Sequence, residues 1–203
     1  MASAPDQVRF DPDGKVLHKL AFNPGDPLLR KQLTDAPDVI GRILAAQELV
    51  KTNKHANIQA VVDAYSNEAF WGVRREMAEA LSKANHETAV AGLAQLTVSE
   101  QHPLAMATLF RAAGSYRDSR ILEALLIRLR GDLPYQARQA ALEAVGRQRQ
   151  AASLDLLLVA SQQEGYHGLV QAGALTGLAS PRRDEAVEQL LELGPYGATP
   201  VRA

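Results

Sequence analysis

The sequence repeats itself about every 32 residues, and this constrains the fold more than any other feature. Apolar residues recur at three positions of the repeat, and in each series the steps are 32, 32, 32 and 33 residues. The three series are Ile58, Val90, Leu122, Leu154 and Val187; Val61, Leu93, Leu125, Leu157 and Leu190; and Leu49, Leu81, Ala113, Val145 and Leu178. Such a period is typical of a chain that stacks copies of one structural unit.

Each repeat contains two segments with the period of an amphipathic helix. In residues 119–130 the leucines Leu122, Leu125, Leu126 and Leu129 have the i, i+3, i+4, i+7 spacing of one apolar helix face. Ala and Leu are abundant and aromatic residues make up only 5% of the chain, which favours helices over strands. The repeating unit is therefore predicted to be a pair of helices.

The second segment of each repeat has a smaller apolar face. Residues 135–147 present five small or branched residues on one side and end near Gly146, which we predict to be the glycine that follows the helix. Pro103 and Pro134 are predicted to occupy the first helical position of their segments. The buried candidates in this example are Ala137, Ala141, Leu142, Ala144 and Val145.

The second segments also have a recognisable sequence. Residues 71–81, 136–146 and 169–178 resemble the Val-Arg-x-x-Ala-x-x-Ala-Leu-Gly core of HEAT-like repeats. The resemblance implies an all-α fold, a right-handed α-α superhelix made of five helix pairs of about 32 residues.

The two ends of the chain differ from the repeats. The predicted organisation is a flexible N-terminus over residues 1–7, a short N-terminal β-hairpin over 8–24, five HEAT-like repeats over 25–194, and the start of a truncated sixth repeat over 195–203. The hairpin is indicated by alternating apolar residues on both sides of the Asp-Pro-Asp-Gly turn at 11–14. We interpret it as a remnant of a preceding β domain.

Composition excludes several classes of function. The chain has no cysteine, which excludes disulfides, thiolate metal sites and a cysteine nucleophile. Its net charge of −1 gives no overall attraction to nucleic acid or to anionic membranes. No apolar run reaches the roughly 18 residues of a membrane span. We expect a soluble, cytoplasmic protein.

Three segments in order resemble a known enzyme family. Residues 8–22, 38–49 and 70–81 are similar to part of the aminopeptidase N-like zinc metallopeptidases, in which a small β domain leads into a HEAT-like C-terminal region. The resemblance implies a non-catalytic domain that bounds the active-site chamber and restricts peptide access. Its partner would be the catalytic domain of the same full-length protein, and the zinc would be held there.

No catalytic residue of that family is found in this chain. The nearest string to the family's His-Glu-x-x-His motif is residues 86–90, in which Val90 replaces the second histidine. The five histidines include no i, i+4 pair on a helix. We therefore predict no catalytic residue and no metal or cofactor site in this chain, although its parent protein would be a zinc aminopeptidase.

Four residues are candidate contacts for a peptide or protein partner. Arg42, Arg74 and Arg138 occupy equivalent positions of the second helices, with Arg202 later in the chain and Met106 and Gln171 interrupting the series. Trp71, the only tryptophan, begins a second helix. The alternatives are that these arginines cap neighbouring loops and that Trp71 packs between repeats.

Two further functions remain open. The chain is alternatively a free-standing HEAT-repeat scaffold that binds proteins on its concave face. A second alternative is that the chain binds nucleic acid, because residues 111–150 contain eight arginines and only four acidic residues. A solvated surface is the simpler interpretation of that cluster, since no aromatic residues are interleaved with it. The eight are Arg111, Arg117, Arg120, Arg128, Arg130, Arg138, Arg147 and Arg149.

Overall fold

The computed structural model describes residues 11, 15, 23–163, 166–180, 187 and 191. Ten α-helices lie within 23–163 and 166–180, and no strand occurs in those ranges. The predicted hairpin at 8–24 and the truncated repeat at 195–203 lie outside the described residues, except for residues 11, 15, 23 and 24. The helices are α1 Asp26–Asp35, α2 Val39–Lys51, α3 His55–Asn67, α4 Trp71–Leu81, α5 Glu87–Ser99, α6 Pro103–Ala113, α7 Ser119–Arg130, α8 Tyr135–Arg147, α9 Leu154–Ser161 and α10 Leu169–Ala179.

The helices confirm the predicted pairing, because each odd-numbered helix is the first of a repeat and each even-numbered helix the second. All five members of the series from Leu49 to Leu178 are completely buried, and so are the four described members of the series that begins at Val61. In the remaining series only Ile58 is completely buried, whereas Val187 is exposed. The described part of the chain is therefore an all-α, HEAT-like series of helix pairs.

The chain forms two compact units, residues 1–89 and 90–203. In the first unit, α2 packs against α1, α3 and α4. In the second unit, α8 contacts both α6 and α10, while α9 packs on α10. The core of this second unit includes an apolar cluster from α8, α9 and α10, whose members are Leu142, Leu157, Ala160, Val170, Ala174, Leu175 and Leu178.

The predicted apolar face of α7 is displaced by one residue. Ile121, Ala124 and Leu125 are its buried residues, whereas Leu122, Leu126 and Leu129 are half-buried. Both sets have helical spacing, so periodicity predicts the helix correctly without deciding which set faces the core. Packing against α8 decides that.

Gly146 does not follow α8, as the sequence predicted, but lies inside it. A Cβ atom at Gly146 would lie 2.2 Å from the carbonyl oxygen of Gly177 on α10. The glycine is therefore needed for close approach of two helices and not for a left-handed turn. The left-handed residue after α8 is Arg149, with φ of 55°.

The prolines begin their helices nearly as predicted. Pro103 is the first residue of α6, and Pro134 directly precedes α8. Within the described ranges, no helix has the length and apolar character required to cross a bilayer.

Candidate interaction surfaces

Arg42 on α2 joins the ends of two consecutive first helices. Its Nε donates to Glu68 at 2.7 Å, and its Nη1 donates to the carbonyl oxygen of Ala36 at 2.8 Å. Ala36 directly follows α1 and Glu68 directly follows α3. A carboxylate oxygen of Glu68 also accepts from the backbone N–H of Phe70 at 2.8 Å. Arg42 thus has the capping role that the sequence analysis gave as its alternative.

Side chains at the equivalent positions of two second helices in the C-terminal unit also donate to backbone carbonyls at helix ends. Arg138 donates to the carbonyl oxygen of Gly131 at 2.9 Å, just after α7. Gln171, which interrupts the arginine series, donates to the carbonyl oxygen of Ser161 at 3.0 Å, at the end of α9. A side-chain donor at this position satisfies a carbonyl that the helix end leaves without an intrahelical partner.

Met106 occupies the same repeat position, and its side chain cannot donate a hydrogen bond. An arginine of the next repeat donates instead. Arg128 on α7 places Nη2 at 3.6 Å from the sulfur of Met106 and donates from Nη1 to the carbonyl oxygen of Val98 at 3.4 Å. The last turn of α5 is therefore capped from α7. Because Arg128 supplies the hydrogen-bond donor, the arginine series can be interrupted at Met106.

The other predicted contact residues are placed as follows. Arg74 is half-buried on α4, and Arg202 lies outside the described residues. Trp71 is half-buried, with its ring centroid 5.7 Å from that of Phe70. Phe70 lies over the first turn of α4, because a Cβ atom at Gly72 would lie 2.7 Å from its ring. Contact of Arg42, Arg74, Arg138 and Trp71 with a partner stays a prediction.

Three of the described histidines, His55, His86 and His102, lie at or just before the first residue of a helix. The Nδ1 atoms of His86 and His102 accept from backbone N–H groups at the starts of α5 and α6. His55 lies 2.7 Å from the hydroxyl of Thr88 and 6.0 Å, ring to ring, from His86. Among the residues that the structure describes, no three histidine or acidic side chains are grouped to hold a metal ion.

The eight arginines of residues 111–150 do not form one patch. Arg111 pairs with Glu143 at 3.3 Å, while Arg128 and Arg138 donate to backbone carbonyls. Arg120 donates to both carboxylate oxygens of Asp118 at 2.8 Å, and these bonds hold the pKa of Asp118 below its usual range. Four of the eight arginines therefore make ion pairs or hydrogen bonds within the protein.

Three of the remaining arginines surround one cavity of about 190 Å³. Arg117 follows α6, Arg147 ends α8 and Arg149 lies two residues further on. The other lining residues of this arginine pocket, among those that the structure describes, are Gly114, Ser115 and Ser180, none of which is acidic. The eighth arginine, Arg130, is exposed on α7 and does not line it.

Buried Gln148 holds the walls of the arginine pocket in place. Its amide nitrogen donates to the carbonyl oxygen of Tyr116 at 2.8 Å, and its amide oxygen accepts from the N–H of Asp118 at 3.0 Å. Tyr116 and Asp118 directly precede and follow Arg117 in the chain. The two hydrogen bonds fix the loop after α6 against the end of α8, which carries Arg147.

The sequence analysis missed this pocket, although a signal for it exists. The position that holds Arg117 and Arg149 recurs through the repeats in steps of 32, 32, 32 and 33 residues, and its occupants are Asn53, Asn85, Arg117, Arg149 and Arg182. In the N-terminal unit, Asn53 and Asn85 bond to each other beside a larger cavity of about 390 Å³. The position thus changes from asparagine to arginine along the chain.

Exposed large apolar side chains occur on second helices of both units. Ile40 and Leu44 lie one turn apart on α2 and are 61% and 50% exposed. In the C-terminal unit, Leu104 and Tyr135 are similarly exposed at the first turns of α6 and α8, which contact each other. Ile40 and Leu104 occupy the same position of their repeats, two periods apart.

Comparison with known proteins identifies HEAT repeats at residues 27–118. This range covers the first three helix pairs, so the chain contains a HEAT-like helical repeat region, as its sequence and structure indicate. No curated protein matches the chain. Neither finding links it to the aminopeptidase N-like peptidases.

Proposed function

We propose that this protein is a HEAT-like scaffold that binds a protein partner through exposed apolar side chains on its second helices. The observation that carries the proposal is the Ile40–Leu44 pair on α2. These side chains are exposed while Ala45, Ala46 and Leu49 of the same helix are completely buried. An exposed pair of large apolar side chains on an otherwise well-packed helix is typical of an interaction site.

The surroundings of this pair support the proposal. Glu48 and Lys51 form an exposed ion pair on the next turn of α2, which gives the apolar pair a polar border. Leu104 and Tyr135 are exposed apolar side chains on the second helices of the C-terminal unit. Protein interfaces combine apolar or aromatic anchors with a polar rim in this way.

Site-specific photo-crosslinking tests the proposal. We expect a photo-reactive phenylalanine at position 44 to form discrete adducts with a partner in the native host. The matched control places the same residue at Ala56, which is exposed on α3 of the same unit. Ile40→Asp should reduce adduct formation at position 44 at least tenfold without changing the helical circular dichroism signal, because it removes the adjacent anchor. Equal adducts at positions 44 and 56, or insensitivity to Ile40→Asp, would contradict the proposal.

The sequence resemblance supports a more specific candidate. In that proposal the scaffold is the non-catalytic region of an aminopeptidase N-like zinc metallopeptidase, and the partner is the catalytic domain of the same protein. Its support is the order of the segments 8–22, 38–49 and 70–81. The adducts at position 44 should then be intramolecular, to a domain that carries a His-Glu-x-x-His motif. A coding sequence without that motif would exclude this candidate and leave the general scaffold.

A further inference from the structure

The arginine pocket is lined by Arg117, Arg147 and Arg149, and none of its described lining residues is acidic. The carboxylate of Asp118, the residue after Arg117, is engaged by Arg120 through both of its oxygens. The carbonyl ends of α6 and α8 carry partial negative charge, which favours cations there. That charge is smaller than the three positive charges, so the described lining of the pocket is electropositive.

The pocket is also built at a conformational cost. Arg149 adopts a left-handed backbone conformation with φ of 55°, which is uncommon for arginine. The equivalent residue of the N-terminal unit, Asn53, has φ of 52°, and asparagine adopts this conformation more readily. An arginine is therefore present where asparagine would suit the backbone better. Such strain, once observed, points to a role of the side chain outside folding.

The size and the rigidity of the pocket limit what it can hold. A volume of about 190 Å³ corresponds to the liquid volume of about six water molecules, enough for one tetrahedral oxyanion. Gln148 and the contact of Gly114 with Ala144 fix the loop that carries Arg117. Guanidinium groups match the oxygens of phosphate in pairs of hydrogen bonds.

We propose that the arginine pocket binds the dianion of a phosphate monoester. A monoester presents three terminal oxygens and up to two negative charges, which suit three guanidinium groups better than the single charge of a carboxylate. A phosphodiester chain requires a line of cations along its backbone, whereas Arg111, Arg120 and Arg138 are engaged in the fold. The monoester is a phosphorylated side chain of a partner or a small phosphorylated compound.

Titration calorimetry on the full chain with inorganic phosphate and with O-phosphoserine tests the site. We expect saturable 1:1 binding in the millimolar range or tighter. Arg117→Gln and Arg149→Asn should each weaken binding at least tenfold. The matched control is Arg130→Gln, which removes an exposed arginine of the same unit outside the pocket and should change affinity less than twofold. Equal losses in all three variants, or no saturable binding, would overturn the proposal.

Thermal unfolding separates ligand binding from a structural role. Arg149→Asn should leave the melting temperature unchanged or raise it, because asparagine suits the left-handed backbone. The same variant should lose the stabilisation that phosphate gives the unmodified protein. A variant that melts lower and still responds fully to phosphate would show that Arg149 serves the fold and would overturn its assignment to the site.

The source of the monoester follows from two further probes. The peptide Ala-Ala-phosphoserine-Ala-Ala is compared with its unphosphorylated twin and with inorganic phosphate. Binding of the phosphopeptide tenfold tighter than phosphate identifies a phosphorylated protein, whereas equal affinities identify a small compound, and both support the site. A single-stranded DNA oligonucleotide that binds more tightly than phosphoserine and equally to the Arg117→Gln and Arg130→Gln variants would overturn the proposal in favour of nucleic acid.

This proposal does not depend on the protein-scaffold proposal above. Arg147 lies at the C-terminal end of α8 and Tyr135 at its N-terminal end, so the arginine pocket and exposed Tyr135 are at opposite ends of this helix. Loss of phosphate binding in Arg117→Gln with normal crosslinking at position 44 would support the phosphate site alone. The reverse result would support the apolar surface alone.

Discussion

Gly146→Ala is expected to lower the free energy of unfolding of the C-terminal unit by about 3 kcal/mol. The added Cβ atom would lie 2.2 Å from the carbonyl oxygen and 2.3 Å from the Cα atom of Gly177, so α8 and α10 must move apart. The gain in helix propensity, about 1 kcal/mol, is too small to offset this overlap. Urea denaturation followed by circular dichroism measures the change.

The matched control is Gly131→Ala in the same unit. The nearest atom to its added Cβ would be the carbonyl oxygen of Arg128 at 3.5 Å, an ordinary van der Waals contact. We expect a change within about 0.5 kcal/mol. If both alanine variants unfold at the same urea concentration, the close approach of α8 and α10 is not what Gly146 provides.

Glu68→Gln should destabilise the N-terminal unit by about 2–3 kcal/mol. The side chains of Arg42 and Glu68 are only 16% and 8% exposed, so loss of the carboxylate charge leaves a largely buried guanidinium without its counterion. Breaking a fully buried pair costs about 3–5 kcal/mol, and the residual exposure of Arg42 reduces that figure. The double variant Arg42→Met/Glu68→Gln should lose less than the two single variants added together.

An exposed ion pair of the same unit provides the control for this measurement. Arg75 and Glu76 lie 3.2 Å apart with side chains 48% and 25% exposed. Glu76→Gln makes the same chemical change there and should cost less than about 1 kcal/mol. Equal losses in Glu68→Gln and Glu76→Gln, or strict additivity in the double variant, would refute a stabilising link through Arg42.

The sequence alone determined the repeat and its two helices. The series from Leu49 to Leu178 predicted buried residues correctly at all five positions. This is possible because a helix places residues on one face at a local, regular spacing, and because each repeat packs against an equivalent neighbour. The same regularity indicated the HEAT-like class, which the match over residues 27–118 supports.

The residues that contact a partner were harder to predict than the helices. The position of an arginine in the repeat does not show whether its side chain hydrogen-bonds within the protein. Arg42 and Arg138 share a register position as predicted, yet both bond to helix ends of the protein itself. The eight arginines of residues 111–150 are alike in sequence, and only their surroundings separate those that serve the fold from the three that line the pocket. The contacts that each arginine side chain makes with neighbouring helices and loops decide which role it has.

Tertiary structure alone also decided what Gly146 does and which face of α7 is buried. A glycine near a predicted helix end fits both a helix stop and a helix contact, and the distance to Gly177 identifies the contact. Two overlapping sets of residues on α7 have helical spacing, and packing against α8 selects Ile121 and Ala124 over Leu122 and Leu126. Local periodicity determines that a helix forms, whereas the direction and closeness of its packing depend on residues distant in the chain.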